Sequence, residues 1–129
     1  ESYRTTLKKM AAELQVSGQF HMAGELPYAD IPLFTSSCHI GISIYLSNDI
    51  MNTTSSMASN KLYEYAAVGL PVLYLDKERF VSRLKQYQWA IPVKTDLLSI
   101  QKAIETIALN YQTLSNEAEN DFRSKLNFE

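Results

Sequence analysis

Asn60-Lys61-Leu62-Tyr63-Glu64 holds the densest potential chemistry in the chain. Asn60, Lys61 and Glu64 are three or four positions apart, which on a helix places them on one flank, with Leu62, Tyr65 and Ala66 on the other. A polar run precedes them, so the helix begins close to residue 59. A helix amino end offers free backbone N–H groups and partial positive charge, which suits an anion such as a phosphate. Ser59 has the right chemistry for the N-cap, and its hydroxyl can also donate to a phosphate oxygen. A carboxylate one turn further in, at Glu64, can accept hydrogen bonds from two neighbouring hydroxyls, the pair that a ribose presents. The plainer reading of Lys61 and Glu64 is a solvated surface pair worth roughly a few tenths of a kcal/mol.

Other elements must place this helix. His39-Ile40-Gly41-Ile42-Ser43-Ile44-Tyr45 alternates as a strand, with Ile40, Ile42 and Ile44 on one face. Gly41 and Ser43 leave room on the other face for a close-packed helix. Tyr45 ends this strand at the edge where a ligand would sit. Residues 47–59 read as a loop rich in Ser, Thr and Asn, long enough to suggest function. The helix then runs over 59–68 and stops at Gly69. Pro71-Val72-Leu73-Tyr74-Leu75 is a continuous apolar run, the mark of a parallel strand covered on both faces. Phe80, Val81 and Leu84 predict another helix, and Ala90-Ile91-Pro92-Val93 a weak strand. Leu97, Ile100, Ile104, Ile107 and Tyr111 predict a strong amphipathic helix capped by Thr95 or Asp96. Residues 113–126 read as a polar helical tail. Ahead of all this, Leu7, Met10, Ala11 and Leu14 predict a helix over 2–15 with Gly18 as its stop. Phe20-His21-Met22-Ala23 predict a short strand ending at Gly24, and Pro27 opens a short helical stretch. Alternating strands and helices predict an α/β domain with a mostly parallel sheet, which binds ligands beyond the carboxyl ends of its strands.

Composition narrows the function. The 129 residues fit one domain, with 46% hydrophobic and 20% charged residues, as in an ordinary globular protein. A net charge of −2 gives no electrostatic support for nucleic-acid binding. One cysteine, Cys38, excludes an intramolecular disulfide and a multi-cysteine zinc site, and reads as a small buried hydrophobe. His21 and His39 lack paired metal-ligand spacing, and His39 reads as a packed or edge residue. Asn52-Thr53-Thr54 matches a glycosylation sequon, but nothing in the chain points to secretion. No apolar run approaches a membrane span. A soluble domain from a reducing compartment is expected. Trp89 is expected to pack against the sheet and Tyr65 in the core, with Tyr63 either packed or bordering a nucleotide site.

The run Ser59-Asn60-Lys61-Leu62-Tyr63-Glu64-Tyr65-Ala66-Ala67-Val68-Gly69-Leu70-Pro71-Val72 resembles the donor-binding helix of GT-B fold glycosyltransferases of the family 4 type, which commonly read Asn-Lys-Leu-x-Glu-Tyr-x-Ala-x-Gly-x-Pro-Val here. The resemblance extends to Phe20-His21-Met22-Ala23-Gly24, to residues 28–37, to Cys38-His39-Ile40-Gly41-Ile42 and to Trp89-Ala90-Ile91-Pro92-Val93, in the same order. It implies a Rossmann-like, mostly parallel sheet flanked by helices, one half of a GT-B fold lacking its first strand. Residues 1–129 would then form a single nucleotide-sugar-binding domain, the C-terminal part of a longer enzyme. The resemblance gives Glu64 the ribose hydroxyls and brings the backbone at Ser59 and Asn60 to the diphosphate. Lys61 is either a cation near the phosphates or solvated. The preceding loop, including Ser56, would lie near the sugar. Ser56 stands where many members carry a first glutamate.

The expected function is therefore that of a glycosyltransferase fragment of hexosyltransferase type, inactive alone. It would bind a nucleotide-sugar donor, most commonly a UDP-sugar, for retaining transfer to an acceptor hydroxyl in polysaccharide or glycoconjugate synthesis. Its partners would be that donor and an N-terminal acceptor-binding domain of the same enzyme. No metal and no cofactor is called for. The setting would be cytoplasmic, with the full enzyme peripheral to the inner membrane as an option and any membrane contact made outside this domain. The alternatives are a non-catalytic or degenerate nucleotide-binding or assembly module, and a sugar-nucleotide epimerase of GT-B fold.

Overall fold

The computed structural model describes residues 2–44 and 60–126. Contacts divide the chain into two compact units, Glu1–Asp30 and Ile31–Glu129.

In the first unit, helix α1 spans Tyr3–Glu13. Ser2 caps it, its Oγ accepting the Thr5 N–H at 3.1 Å, which satisfies one of the donors that a helix start leaves open. The stop is not Gly18. The chain leaves the helix through Leu14, and Gln15 takes the left-handed conformation at φ 60°. A 3-10 turn follows at Ser17–Gln19. Residues 20–23 are not the expected strand, because no neighbouring strand in the described chain pairs with them. Their apolar alternation is too brief to enforce a sheet without such a partner. A second 3-10 turn, Tyr28–Asp30, ends the unit.

The second unit holds a parallel sheet in the order β1-β2-β3, flanked by helices and compatible with a Rossmann-like fold. Helix α2, Ile31–Ser36, tolerates Pro32 because a first-turn residue needs no N–H partner. Strand β1 is Gly41–Ser43, shorter than the alternating run from 39 to 45 predicts; Tyr45 lies outside the described residues. Helix α3 is Asn60–Ala67, and strand β2 is Val72–Leu75. Helix α4 (Glu78–Leu84) leads to strand β3 (Ala90–Val93). Helix α5 (Leu97–Leu109) follows, with its cap at Asp96, whose Oδ1 accepts the Ser99 N–H at 2.8 Å. The expected helix does not continue through Tyr111: it breaks at Asn110, and α6 (Tyr111–Asp121) starts anew before a π-helical turn at Phe122–Leu126.

β2 is the axis of the core. All four of its residues are buried, and it is paired on both sides, Gly41 opposite Val72 and Val72 opposite Ala90. Burial of each such apolar side chain contributes roughly 1.5–3 kcal/mol. Leu62, Ala66, Phe80, Leu84, Ala103, Ile107, Leu114 and Ala118 complete the core from the helices. The inward stripe of α5 is Ala103 and Ile107, buried, with Ile100 partly buried; Leu97 and Ile104 face water, 81% and 43% exposed, against expectation. Position 104 is one residue, about 100°, around the helix from 103, and the small Ala103 is what fits against the sheet. Ile42 is likewise 59% exposed, since it lies on the outer strand and on the face opposite α3. Cys38 is half-buried rather than fully enclosed, and His39 is exposed with its ring edge-on to Tyr111, centroids 5.6 Å apart.

Two close approaches fix α3. A Cβ at Gly41 would clash with the Tyr65 ring, so only glycine lets the helix lie this close to β1. At its other end the helix closes in a Schellman turn, with Leu70 N–H donating to Tyr65 C=O at 2.9 Å and Gly69 N–H to Ala66 C=O at 3.0 Å. Gly69 supplies the φ of +75° that this turn requires, and it lies against Ser115 and Glu119 of α6. We expect Gly41→Ala to lower stability by about 1–3 kcal/mol, as overpacking does. Gly69→Ala should cost about 1 kcal/mol or more, as left-handed positions do. Urea denaturation midpoints of the two variants against the parent chain check both values.

Candidate functional site

The three strands point the same way, so Ser43, Leu75 and Val93 end together at one edge of the sheet. This carboxyl edge is where open parallel sheets bind ligands. Helix α3 returns from it toward the amino edge, so Asn60 and Lys61 open the helix at the carboxyl edge. Lys61 is exposed there and Glu64, one turn on, is half-buried. Leu62 and Ala66 turn inward as the spacing predicts, and Tyr65 and Tyr63 pack on the core. The Tyr65 hydroxyl donates to the Ile42 carbonyl at 3.3 Å, which ties α3 to β1 at a second point. Ser56, Ser59 and Tyr45, also expected at the site, lie outside the described residues.

A shallow cleft of about 320 Å³ opens beside this edge, lined by Leu75, Asp76, Lys77, Lys94 and Thr95. Asp76 N–H donates to Val93 C=O at 2.8 Å and Lys94 N–H to Ser99 Oγ at 2.9 Å, so both connections leave the sheet on fixed backbones. Lys77 and Lys94 therefore place two ammonium groups just past the ends of β2 and β3. Sequence reasoning missed both. Their signal was position, the first polar residues after an apolar parallel strand.

The edge also holds polar groups that the fold leaves unsatisfied. Ser43 Oγ and the Tyr74 hydroxyl are buried without a hydrogen-bond partner. Each such group costs about 1–3 kcal/mol when buried and unpaired. Burial, with a smaller contribution from the Asp76 carboxylate, pushes the Tyr74 phenol up to about 12 from its ordinary value of 10.0. Burial likewise raises Tyr87, helped by Asp121.

At the opposite edge buried polar groups are paired. Trp89, wholly buried ahead of β3, donates from Nε1 to Asp121 Oδ2 at 2.8 Å. Lys125 Nζ stands 3.4 Å from the other oxygen of Asp121 and 5.9 Å from the centre of the Tyr87 ring. This knot joins the end of α6 to the sheet.

The arrangement at the carboxyl edge is suited to binding. Helix-end N–H groups and nearby ammonium groups attract an anion, and Glu64 offers a hydroxyl-accepting carboxylate one turn away. Among the described residues no three His, Cys, Asp or Glu side chains gather as a metal site, and no helix is long and apolar enough to cross a membrane. Comparison of the chain with family models, with curated proteins and with solved structures found no match.

The tyrosine environments give a signed expectation. Tyr74 keeps its proton in the folded state to a higher pH than in the unfolded chain, so folding is favoured below pH 10 and that contribution is lost as pH rises toward about 12. Denaturation midpoints should therefore fall between pH 10 and 12, and Tyr74→Phe should flatten the fall. An unchanged slope in the variant would contradict the assignment to Tyr74.

Proposed function

We propose that this chain holds the nucleotide of a sugar-nucleotide donor at the carboxyl edge of its sheet, as the donor-binding half of a GT-B glycosyltransferase of the family 4 type. The observation that carries the reading is Glu64. Its carboxylate is half-buried, has no hydrogen-bond or ion-pair partner among the described residues, and stands one turn inside a helix whose amino end meets that edge. A surface pair with Lys61 would have given it a partner. A ribose diol, donating two hydroxyl hydrogens, fits the group, while the diphosphate reaches the amides at Asn60 and Lys61. A UDP-sugar is the foremost donor.

In this reading the acceptor comes from an N-terminal domain of the same cytoplasmic enzyme. The acceptor hydroxyl oxygen bonds to the sugar carbon as the sugar–phosphate bond breaks, the hydroxyl proton passes to the departing phosphate oxygen, and the leaving diphosphate gathers negative charge as that bond breaks. Fixed amides and the ammonium groups of Lys61, Lys77 and Lys94 stabilise that charge, which is electrostatic catalysis that needs no proton transfer from this domain. Asn60, Lys61 and Glu64 are binding residues, with Ser56 and Ser59 added on the sequence resemblance and Tyr45 on its place at the end of the first strand run.

Titration calorimetry of the chain with UDP, GDP and uridine tests the reading. We expect UDP or GDP to bind, uridine to bind at least tenfold more weakly, and Glu64→Ala to abolish measurable nucleotide binding. Alanine is a good helix former, so the variant keeps α3 intact. No binding of either diphosphate by the parent chain, or equal binding by Glu64→Ala, would overturn the reading in favour of an assembly module.

A further inference from the structure

Ser43 and Tyr74 sit directly opposite each other in the β1–β2 register, so their side chains leave the same face of the sheet. That face also carries Gly41, over which Tyr65 of α3 lies. From Gly41 to Ser43 the strand advances about 7 Å toward the carboxyl edge. From Tyr65 back to its first turn, helix α3 covers about 5–6 Å in the same direction. Positions 43 and 74 are therefore on the face that α3 covers, toward the amino end of that helix. Tyr74 is 1% and Ser43 6% exposed, and neither hydroxyl has a partner.

Phenylalanine and alanine would fill the same volumes with nothing left unbonded. Core positions in a packed sheet ordinarily resolve that conflict in favour of the apolar residue. Here two adjacent positions do not, and both are on the sheet face toward a helix end suited to an anion. Burial, and to a smaller extent Asp76 just beyond β2, makes loss of the phenol proton harder, so Tyr74 remains a hydrogen-bond donor across the neutral range.

We propose that Ser43 and Tyr74 form a hydroxyl pair that donates to phosphate oxygens of the nucleoside diphosphate seated at the amino end of α3. The inference rests on the donor-site reading above and adds two residues to it, both outside the helix that carries the sequence resemblance. The hydroxyls supply donors without adding charge, so they fix the position of the phosphate while the lysines supply the attraction.

The test is calorimetric titration of UDP and GDP into the parent chain, Ser43→Ala, Tyr74→Phe and Glu64→Ala, with thermal melts of each ligand-free protein. Tyr74→Phe and Ser43→Ala should each weaken binding of the preferred diphosphate at least fivefold. Their ligand-free melting temperatures should hold or rise, because an unmet buried polar group has been removed. Affinity unchanged in both variants, while Glu64→Ala still abolishes binding, would overturn this inference and leave the donor site standing. A lowered melting temperature with unchanged affinity would also overturn it, by assigning the hydroxyls a bonded structural role. Absence of diphosphate binding by the parent chain would overturn the donor-site reading and this inference together.

Discussion

The Tyr65 ring fills the space that a side chain at position 41 would need, and the hydroxyl of the same ring bonds to the Ile42 carbonyl. That contact between α3 and β1 sets where the amino end of the helix stands. The Schellman turn through Gly69 and Leu70 then delivers the chain directly into β2, whose four residues are buried on both faces. The helix cannot slide along the sheet without either opening the Gly41 contact or straining the Gly69 turn. Asn60, Lys61 and Glu64 inherit their positions from that constraint.

The two edges of the sheet are built differently. At the amino edge Trp89, Asp121, Lys125 and Tyr87 satisfy one another, and their interactions tie the last helix to the core. At the carboxyl edge Ser43, Tyr74 and Glu64 are left without partners in the described chain, beside lysines and a helix amino end. Paired polar groups lie at one edge and unmet hydrogen-bonding capacity at the other. Folded proteins carry such local conflicts where a ligand resolves them. The sheet is rigid enough to bear them because β2 is paired on both sides.

Much of this was legible from residue types alone. The apolar run ending at Leu75 announced a strand covered on both faces, and Gly41 with Ser43 announced a helix packed close on β1. The inward set Leu62, Tyr65 and Ala66 followed from helical spacing, and Asp96 from its place before an apolar repeat. The failures have physical causes. Phe20-His21-Met22-Ala23 has strand-like residues, but pairing depends on a neighbour that local pattern does not reveal. The α5 stripe chose small Ala103 over larger Ile104, a matter of fit against the sheet. Trp89 was legible as packing, but its bond to Asp121 joins positions too distant in sequence for spacing to connect. The unsatisfied hydroxyls of Ser43 and Tyr74 were invisible for the same reason, since a missing partner is a property of three dimensions. At the site, Glu64 and Lys61 were legible because one helix carries both, while Lys77 and Lys94 reach the same edge from separate connections.

We propose that a nucleoside diphosphate seats at the carboxyl edge of the sheet. Titration of the ¹⁵N-labelled chain with UDP, followed by amide chemical shifts, tests it residue by residue. Shifts should cluster at Ser43, Asn60, Lys61, Asp76 and Lys94 and leave Gln86, Gln88 and Asn120 at the opposite edge unmoved. Shifts centred on Gln86, Gln88 and Asn120, or none at saturating UDP and GDP, would contradict it.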